Sequence, residues 1–175
     1  MTSTVAYLLL LLLTAIERLV EVRVSVRNAR WCVAQGGQET GQAHYPWMVL
    51  LHTGFLLGCA LEVWFLSRTF HPVLGGVMLC LAVSCQVLRW WCIRTLGPRW
   101  NTRVVVVPGL PRVTTGPYRY FAHPNYVAVV VEGVALPMVH GAWITASVFT
   151  LLNAWLLSVR VRVENAALAS AEVRT

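Results

Sequence analysis

The chain has 175 residues, of which 57% are apolar and 12% are charged, and its formal net charge is +7. Soluble domains have about 45–50% apolar and about 25% charged residues, so this composition indicates one membrane domain. Every basic residue is Arg and every acidic residue is Glu. Without Lys the chain cannot be a Schiff-base enzyme or contain a Walker-A nucleotide site, and without Asp it cannot use aspartyl-protease or aspartyl-phosphate chemistry. The Cys and His residues lack the spacing of disulfides or metal ligands, so we expect no metal site. We also expect no nucleic-acid partner.

Five apolar runs predict transmembrane helices, since about 20 apolar residues span the bilayer. In chain order they are 5–22, 46–66, 73–93, 126–140 and 142–159. The first run lacks the basic start and the cleavage site of a signal peptide, so it is interpreted as a helix. Only Gly141 separates the last two runs, which are therefore predicted to form a helical hairpin. The segment 94–125 is a polar loop with a short β-like run at 104–107, and the fold class is an all-α multi-pass membrane protein.

The arginines orient these helices. Eleven of the 14 lie on one side, in the first interhelical segment, in the 94–125 loop and in the tail, which includes Arg174. The other side has Arg68, and Arg18 and Arg89 lie within helices. Because basic residues stay cytoplasmic, the N-terminus is predicted outside and the C-terminus inside.

Several polar residues share one predicted depth near the inner ends of the helices. They are Glu17, Arg18, Glu21, Gln86, Arg89, Glu132 and Asn153. Ionisable groups inside a membrane are costly and often mark a functional site. The alternative is that the Glu and Arg residues simply hold the helices together as ion pairs. Glu62 lies in the outer half, and the sequence does not explain it.

The segment 111–126 carries the most informative motif. Gly116-Pro117 predicts a turn, and Pro124 suits the first turn of the fourth helix. The N–H groups at that helix start would bind an anion, with Arg119, His123 and Tyr126 as further donors. An aromatic turn at the level of the lipid headgroups is the alternative interpretation.

Gly-Pro-Tyr-Arg-Tyr-x-x-His-Pro-Asn-Tyr, followed later by Arg160-x-x-x-Glu164, resembles the isoprenylcysteine carboxyl methyltransferase family. That resemblance implies a multi-pass membrane enzyme that uses S-adenosylmethionine. The N-terminal strings Glu17-Arg-Leu-Val-Glu21 and His44-Tyr-Pro-Trp-Met48 are similar to a small bacterial branch associated with type III polyketide synthases. Members of that branch O-methylate alkylpyrones or phenolic lipids. The resemblance thus implies a bacterial inner-membrane enzyme with a lipophilic acceptor that enters from the bilayer lipids.

The resemblance implies a single domain over 1–175. Residues 1–93 would form three transmembrane helices, and residues 94–175 would form the cofactor-binding loop, the helical hairpin and the C-terminal helix extension. The resemblance also implies which residues face the cofactor and which face the acceptor. The cofactor would touch a strand edge at 110–113, Tyr118, the 123–126 turn and Glu164, and Arg160 would face the acceptor. The residues expected to bind the cofactor are Leu110, Pro111, Arg112, Val113, Tyr118, His123, Pro124, Asn125, Tyr126 and Glu164. The candidate catalytic residues are Arg160 and Glu132. The family usually has a second Glu where this chain has Asn165.

The predicted reaction is methyl transfer from a sulfonium to an acceptor oxygen. A hydroxypyrone enolate or a carboxylate needs no base, whereas a phenol would need one, from Glu132 or His123. Two other functions remain open. The first is a nicotinamide-dependent membrane reductase, which can carry a similar His-Pro-Asn-Tyr turn. The second is a small transporter or scaffold that would use the Glu residues for proton coupling. A transporter would be expected to have internal repeats, and this chain has none.

Overall fold

The structure of the protein, a computed structural model, describes residues 2–172 and consists mainly of five helices. The elements are α1 Thr2–Ala34, β1 Gln38–Thr40, α2 Tyr45–Phe65, α3 Pro72–Leu96, β2 Val104–Val106, α4 Pro124–Met138 and α5 Trp143–Glu172. All five predicted helices are present. Helix α1 continues well past its predicted end at 22, and α5 continues past its apolar run at 159 as the predicted C-terminal helix extension. Arg174, one of the arginines assigned to the tail, lies outside the described residues.

The helices present apolar side chains on their outer surface. Leu13 and Leu19 on α1 are 64% and 63% exposed, and Leu151 on α5 is 73% exposed. So much exposed apolar surface is typical of a chain in contact with lipid. Helices α2, α3 and α5 are long and apolar enough to cross a membrane, whereas α4 is apolar but has 15 residues. The predicted all-α multi-pass membrane fold is confirmed.

Helices α1 and α3 lie side by side and parallel. Glu21 accepts hydrogen bonds from Arg89, and about two turns further along α1 the Asn28 amide donates to the carbonyls of Gly97 and Trp100. Polar residues on one face of α1 therefore form hydrogen bonds beyond residue 22, where the apolar run of the helix ends. This explains why the helix continues to Ala34, since helix length follows tertiary packing rather than hydropathy alone.

Glu62 near the end of α2 caps the start of α5. Its carboxylate accepts the N–H groups of Ile144 and Thr145 at 3.1 and 2.7 Å, and Arg68 donates to it at 2.8 Å. The first N–H groups of a helix lack partners within the helix and carry partial positive charge, so a carboxylate there is stabilising. The residue that the sequence left unexplained is thus a cap supplied by another helix.

A two-stranded antiparallel ribbon lies at the end of the bundle where α1 and α3 end. The β-like run at 104–107 is confirmed as β2, and Val104 pairs with Thr40 of β1, a strand that the sequence did not predict. The predicted strand edge at 110–113 is wrong, because this segment has no regular secondary structure and pairs with no strand of the described ribbon. Pro111 has no N–H to donate to a ladder, and its carbonyl instead accepts a hydrogen bond from Arg99 at 2.7 Å.

Candidate active site

A cleft opens between the 97–123 loop, the start of α4 and the part of α5 from Arg160 to Leu168. Its free volume is about 180 Å³. Nine of the ten residues predicted to bind a cofactor line it, together with Arg160. The nine are Leu110, Pro111, Arg112, Val113, Tyr118, His123, Asn125, Tyr126 and Glu164. The prediction for the tenth residue, Pro124, is wrong. Pro124 is fully buried in the first turn of α4, where it forms the start of the helix and does not face the cleft.

A chain of polar contacts crosses the cleft from α4 to α5. Arg160 donates from Nε to the hydroxyl of Tyr126 at 2.7 Å, and that hydroxyl donates to the carboxylate of Glu164. His123 lies on the other side of Glu164, with Nδ1 3.5 Å from Oε1, and its Nε2 is 3.0 Å from the side-chain oxygen of Asn165. The two halves of the motif, far apart in sequence, therefore form one site.

The ionisation of two residues in the loop follows from these surroundings. The hydrogen bond to Glu164 raises the pKa of His123, against the opposing effect of partial burial. Burial also raises the pKa of Tyr118, so that its hydroxyl remains protonated and able to donate. The cleft thus combines one carboxylate with hydrogen-bond donors from two aromatic rings.

Gly116 places Tyr118 against this cleft. Its φ of +58° is one that residues with a side chain rarely adopt, and a Cβ there would lie 2.6 Å from Oγ1 of Thr95. The turn predicted at Gly116-Pro117 is present as a short 3-10 helix, Gly116–Arg119. Glycine is therefore required both for the backbone conformation and for the close approach to α3.

Two side-chain oxygens at this cleft lack partners. Oδ1 of Asn101 and Oδ1 of Asn125 are both buried and accept no hydrogen bond from any described residue, although both residues line the cleft. Buried acceptors of this kind are rare in native proteins, so a ligand that carries N–H or O–H donors would fit here. Sequence reasoning missed Asn101, because it precedes β2 outside every motif that indicated chemistry.

The start of α4 offers fewer donors than predicted. Pro124 has no N–H, and the N–H groups of Tyr126 and Val127 both bond to the carbonyl of His123, which leaves the N–H of Asn125. The positive charge in the cleft comes instead from four arginines that line it, Arg99, Arg103, Arg112 and Arg160.

A second polar site, which we call the buried ion cluster, lies deeper in the bundle. It contains Glu17, Arg18 and Glu21 of α1, Arg89 of α3 and Glu132 of α4. Arg18 lies 2.6 Å from Glu21 and 2.7 Å from Glu132, and Arg89 lies 2.6 Å from Glu21. These contacts agree with the alternative interpretation, in which Glu and Arg residues hold the helices together as ion pairs. Glu132, the candidate catalytic base, therefore lies outside the cleft.

The fold and the cleft define a multi-pass membrane protein with a polar site at one end of its helices. The model of the isoprenylcysteine carboxyl methyltransferase (ICMT) family matches residues 77–170. The chain is also 35% identical over 166 residues to YpbQ, an uncharacterized protein of Bacillus subtilis (strain 168), which covers 95% of this chain and 98% of that one. The chain belongs to the ICMT family, and this membership implies a membrane methyltransferase.

Proposed function

We propose that the protein transfers a methyl group from S-adenosylmethionine to an oxygen of a lipophilic acceptor. The observation that carries this proposal is the single cleft in which Glu164, Tyr126 and Arg160 are linked by hydrogen bonds. In this proposal the carboxylate of Glu164 serves the cofactor, and the neighbouring guanidinium of Arg160 serves the acceptor. When bound, S-adenosylmethionine supplies an electrophilic methyl group on a sulfonium.

The residues of the cleft fit this cofactor. The negative charge of Glu164 complements a sulfonium, and the ring faces of Tyr118 and Tyr126 suit a cation or adenine. The unpartnered oxygens of Asn101 and Asn125 suit the amino groups of the cofactor. Its carboxylate would bind Arg112, because a guanidinium offers the forked donors that a carboxylate prefers.

The favoured acceptor is the hydroxyl of an alkylpyrone or a phenolic lipid, and an isoprenylcysteine-type carboxylate is second. Arg160 is buried, with 6% of its surface exposed, and its guanidinium would pair with the oxyanion as it reacts. An acidic acceptor of this kind needs alignment and exclusion of water more than a strong base. A type III polyketide synthase would be the functional partner that supplies it.

The location follows from the same arrangement. We propose five crossings of a bacterial inner membrane, with the N-terminus outside and the C-terminus in the cytoplasm. The cleft lies at the arginine-rich end, so that it would face the cytoplasm, where a soluble cofactor is available. The acyl chain of the acceptor would remain in the bilayer and reach the site between helices.

The test is a methyl-transfer assay on the purified protein in detergent with radiolabelled S-adenosylmethionine. The acceptors are an alkylpyrone, an alkylphenol and a farnesylated cysteine analogue. We expect label on the pyrone or the phenol, and more of it than on the cysteine analogue. Transfer to none of the three by folded protein would contradict the proposal, and transfer to the cysteine analogue alone would overturn the order of acceptors.

A further inference from the structure

The outward face of α1 carries a row of three arginines, which we call the arginine stripe. It consists of Arg23, Arg27 and Arg30, whose spacing of four and three residues places them on one face of the helix. All three residues are exposed. Ser25 and Asn28, on the buried face of the same segment, bond to the loop that follows α3. The stripe therefore points away from the bundle.

The charges of the arginine stripe have no counter-charge within the protein. None of the three arginines forms an ion pair with a carboxylate in the part of the chain that the structure describes. Elsewhere on the same chain Arg18 pairs with Glu21, and Arg103 pairs with Glu39. Like charges three and four residues apart repel each other and destabilise a helix. An anion bound along the stripe would remove this cost.

The arginine stripe begins where the apolar run of α1 ends. The helix has 33 residues, whereas about 20 span the hydrocarbon of a bilayer, and the apolar run ends at residue 22. At 1.5 Å per residue, the stripe covers about 10 Å of helix beyond that run. With the run 5–22 in the hydrocarbon, as in the proposed crossing of α1, the stripe lies at the depth of the lipid phosphate groups.

Apolar side chains flank the arginine stripe and favour a lipid surface over an acidic protein. At about 100° per residue, Val22, Val26 and Val33 form a row on one side of the stripe, and Trp31 lies on the other. These four residues are between 38% and 59% exposed. Arginine at a membrane surface keeps its apolar stem against such groups and extends its charge to the headgroups, and tryptophan is enriched at the same depth.

We propose that the arginine stripe binds the phosphate groups of anionic phospholipids and holds the segment 23–34 of α1 at the membrane surface. Guanidinium groups suit this ligand, because they are always charged and offer forked donors to phosphate oxygens. None of the three arginines lines the cleft. The inference therefore does not depend on methyl transfer and can fail or hold separately from it.

The first experiment measures lipid preference by native mass spectrometry of the full chain in a neutral detergent. Phosphatidylglycerol and phosphatidylcholine with the same acyl chains compete for the protein at equal concentration. Wild type should retain more phosphatidylglycerol, and added salt should weaken this preference, because exposed charges are screened. Equal retention of the two lipids by folded wild type would overturn the proposal, whatever the variants do.

A triple variant assigns the preference to the arginine stripe. Arg23→Gln, Arg27→Gln and Arg30→Gln together should lower the relative affinity for phosphatidylglycerol by at least about fivefold, since one arginine near an anionic surface contributes about 1 kcal/mol. Lysine at the same three positions keeps the charge and should cost less than about twofold. The proposal is wrong if the glutamine variant keeps the wild-type preference, or if the lysine variant loses as much as the glutamine variant.

A pair of single variants separates the arginine stripe from the other arginines of the protein. Arg27→Gln and Arg162→Gln each remove one exposed positive charge. Arg162 lies on α5, where its Nε donates to the carbonyl of Ser158 at 3.2 Å. Arg27→Gln should reduce the preference for phosphatidylglycerol, and Arg162→Gln should leave it as in wild type. Equal losses in the two variants would contradict the assignment to the stripe.

Two soluble anions distinguish the source of the negative charge. Inorganic phosphate offers the same group without a lipid, and polyglutamate represents an acidic protein segment. At the same total charge, neither should displace phosphatidylglycerol from wild type. Displacement by inorganic phosphate would assign the stripe to free anions, and displacement by polyglutamate would assign it to an acidic protein. Either result would overturn the proposed lipid surface.

Discussion

Arg160 and Glu164 lie one turn apart on α5, and the hydroxyl of Tyr126 links them by accepting from the guanidinium at 2.7 Å and donating to the carboxylate. This hydroxyl joins the residue proposed for the acceptor to the residue proposed for the cofactor. Without it, the two charges on neighbouring turns would be free to pair directly, as i, i+4 partners do.

Tyr126→Phe should therefore weaken binding of S-adenosylmethionine. A hydrogen bond to a charged group contributes about 1.5–3 kcal/mol, so we expect Kd to rise by about tenfold or more. Calorimetric titration of the detergent-solubilised protein measures this change. Tyr120→Phe is the matched control, because Tyr120 is 69% exposed and should bind normally. An unchanged Kd for Tyr126→Phe would mean that the link has no part in cofactor binding.

The raised pKa of His123 makes stability depend on pH. The ordinary His pKa is 6.5, and the bond to Glu164 raises the folded value above it. The contribution of the protonated ring is thus complete below about pH 6.5 and is lost as the pH rises through the folded pKa. Tm should fall over this range in wild type and fall less in His123→Gln. Parallel Tm profiles for the two proteins would contradict the proposed pair.

Glu132→Gln should destabilise the protein strongly. It removes a carboxylate that faces Arg18 and Arg89, and breaking a buried pair from one side costs about 3–5 kcal/mol. Glu39→Gln removes a pair with Arg103, whose side chain is 43% exposed, and should cost less than about 1 kcal/mol. Denaturant unfolding of both variants in mixed micelles measures the difference. Similar losses would mean that the buried ion cluster does not hold the helices together.

Gly133→Ala should also destabilise the bundle, because its Cβ would lie 2.5 Å from the ring of Phe149. Overpacking of this kind costs about 1–3 kcal/mol. Gly76→Ala on α3 meets no atom within 4 Å and should stabilise the helix by about 0.5–1 kcal/mol. Tm of both variants tests the pair of predictions, and a Gly133→Ala variant as stable as wild type would contradict the packing described for α4 and α5.

Hydropathy and turn residues were sufficient to predict the helices, the 116–117 turn and β2, because each depends on neighbouring residues. The end of α1 was wrong, since this helix continues beyond residue 22 where long-range contacts replace lipid, whereas the extension of α5 beyond residue 159 was predicted. Strand β1 was missed for the same reason: Gln38–Thr40 has no strand pattern of its own and pairs with β2 from a distant part of the chain.

Nine of the residues expected to bind the cofactor lie at one cleft, because the motif that pointed to them is concentrated in two short strings. The motif did not find Asn101 or the role of Glu62. Their significance comes from an unpartnered oxygen and from a cap on another helix, and each of these depends on neighbours that are far apart in sequence.

The most direct test of the account is calorimetric binding of S-adenosylmethionine to wild type and to Glu164→Gln in detergent, with Tm as the check on folding. Glutamine keeps the size of the side chain but removes the charge that complements the sulfonium. The account predicts saturable binding to wild type and a Kd at least about tenfold higher for the variant. Folded wild type that shows no saturable binding, or a variant that binds as tightly as wild type, would contradict it.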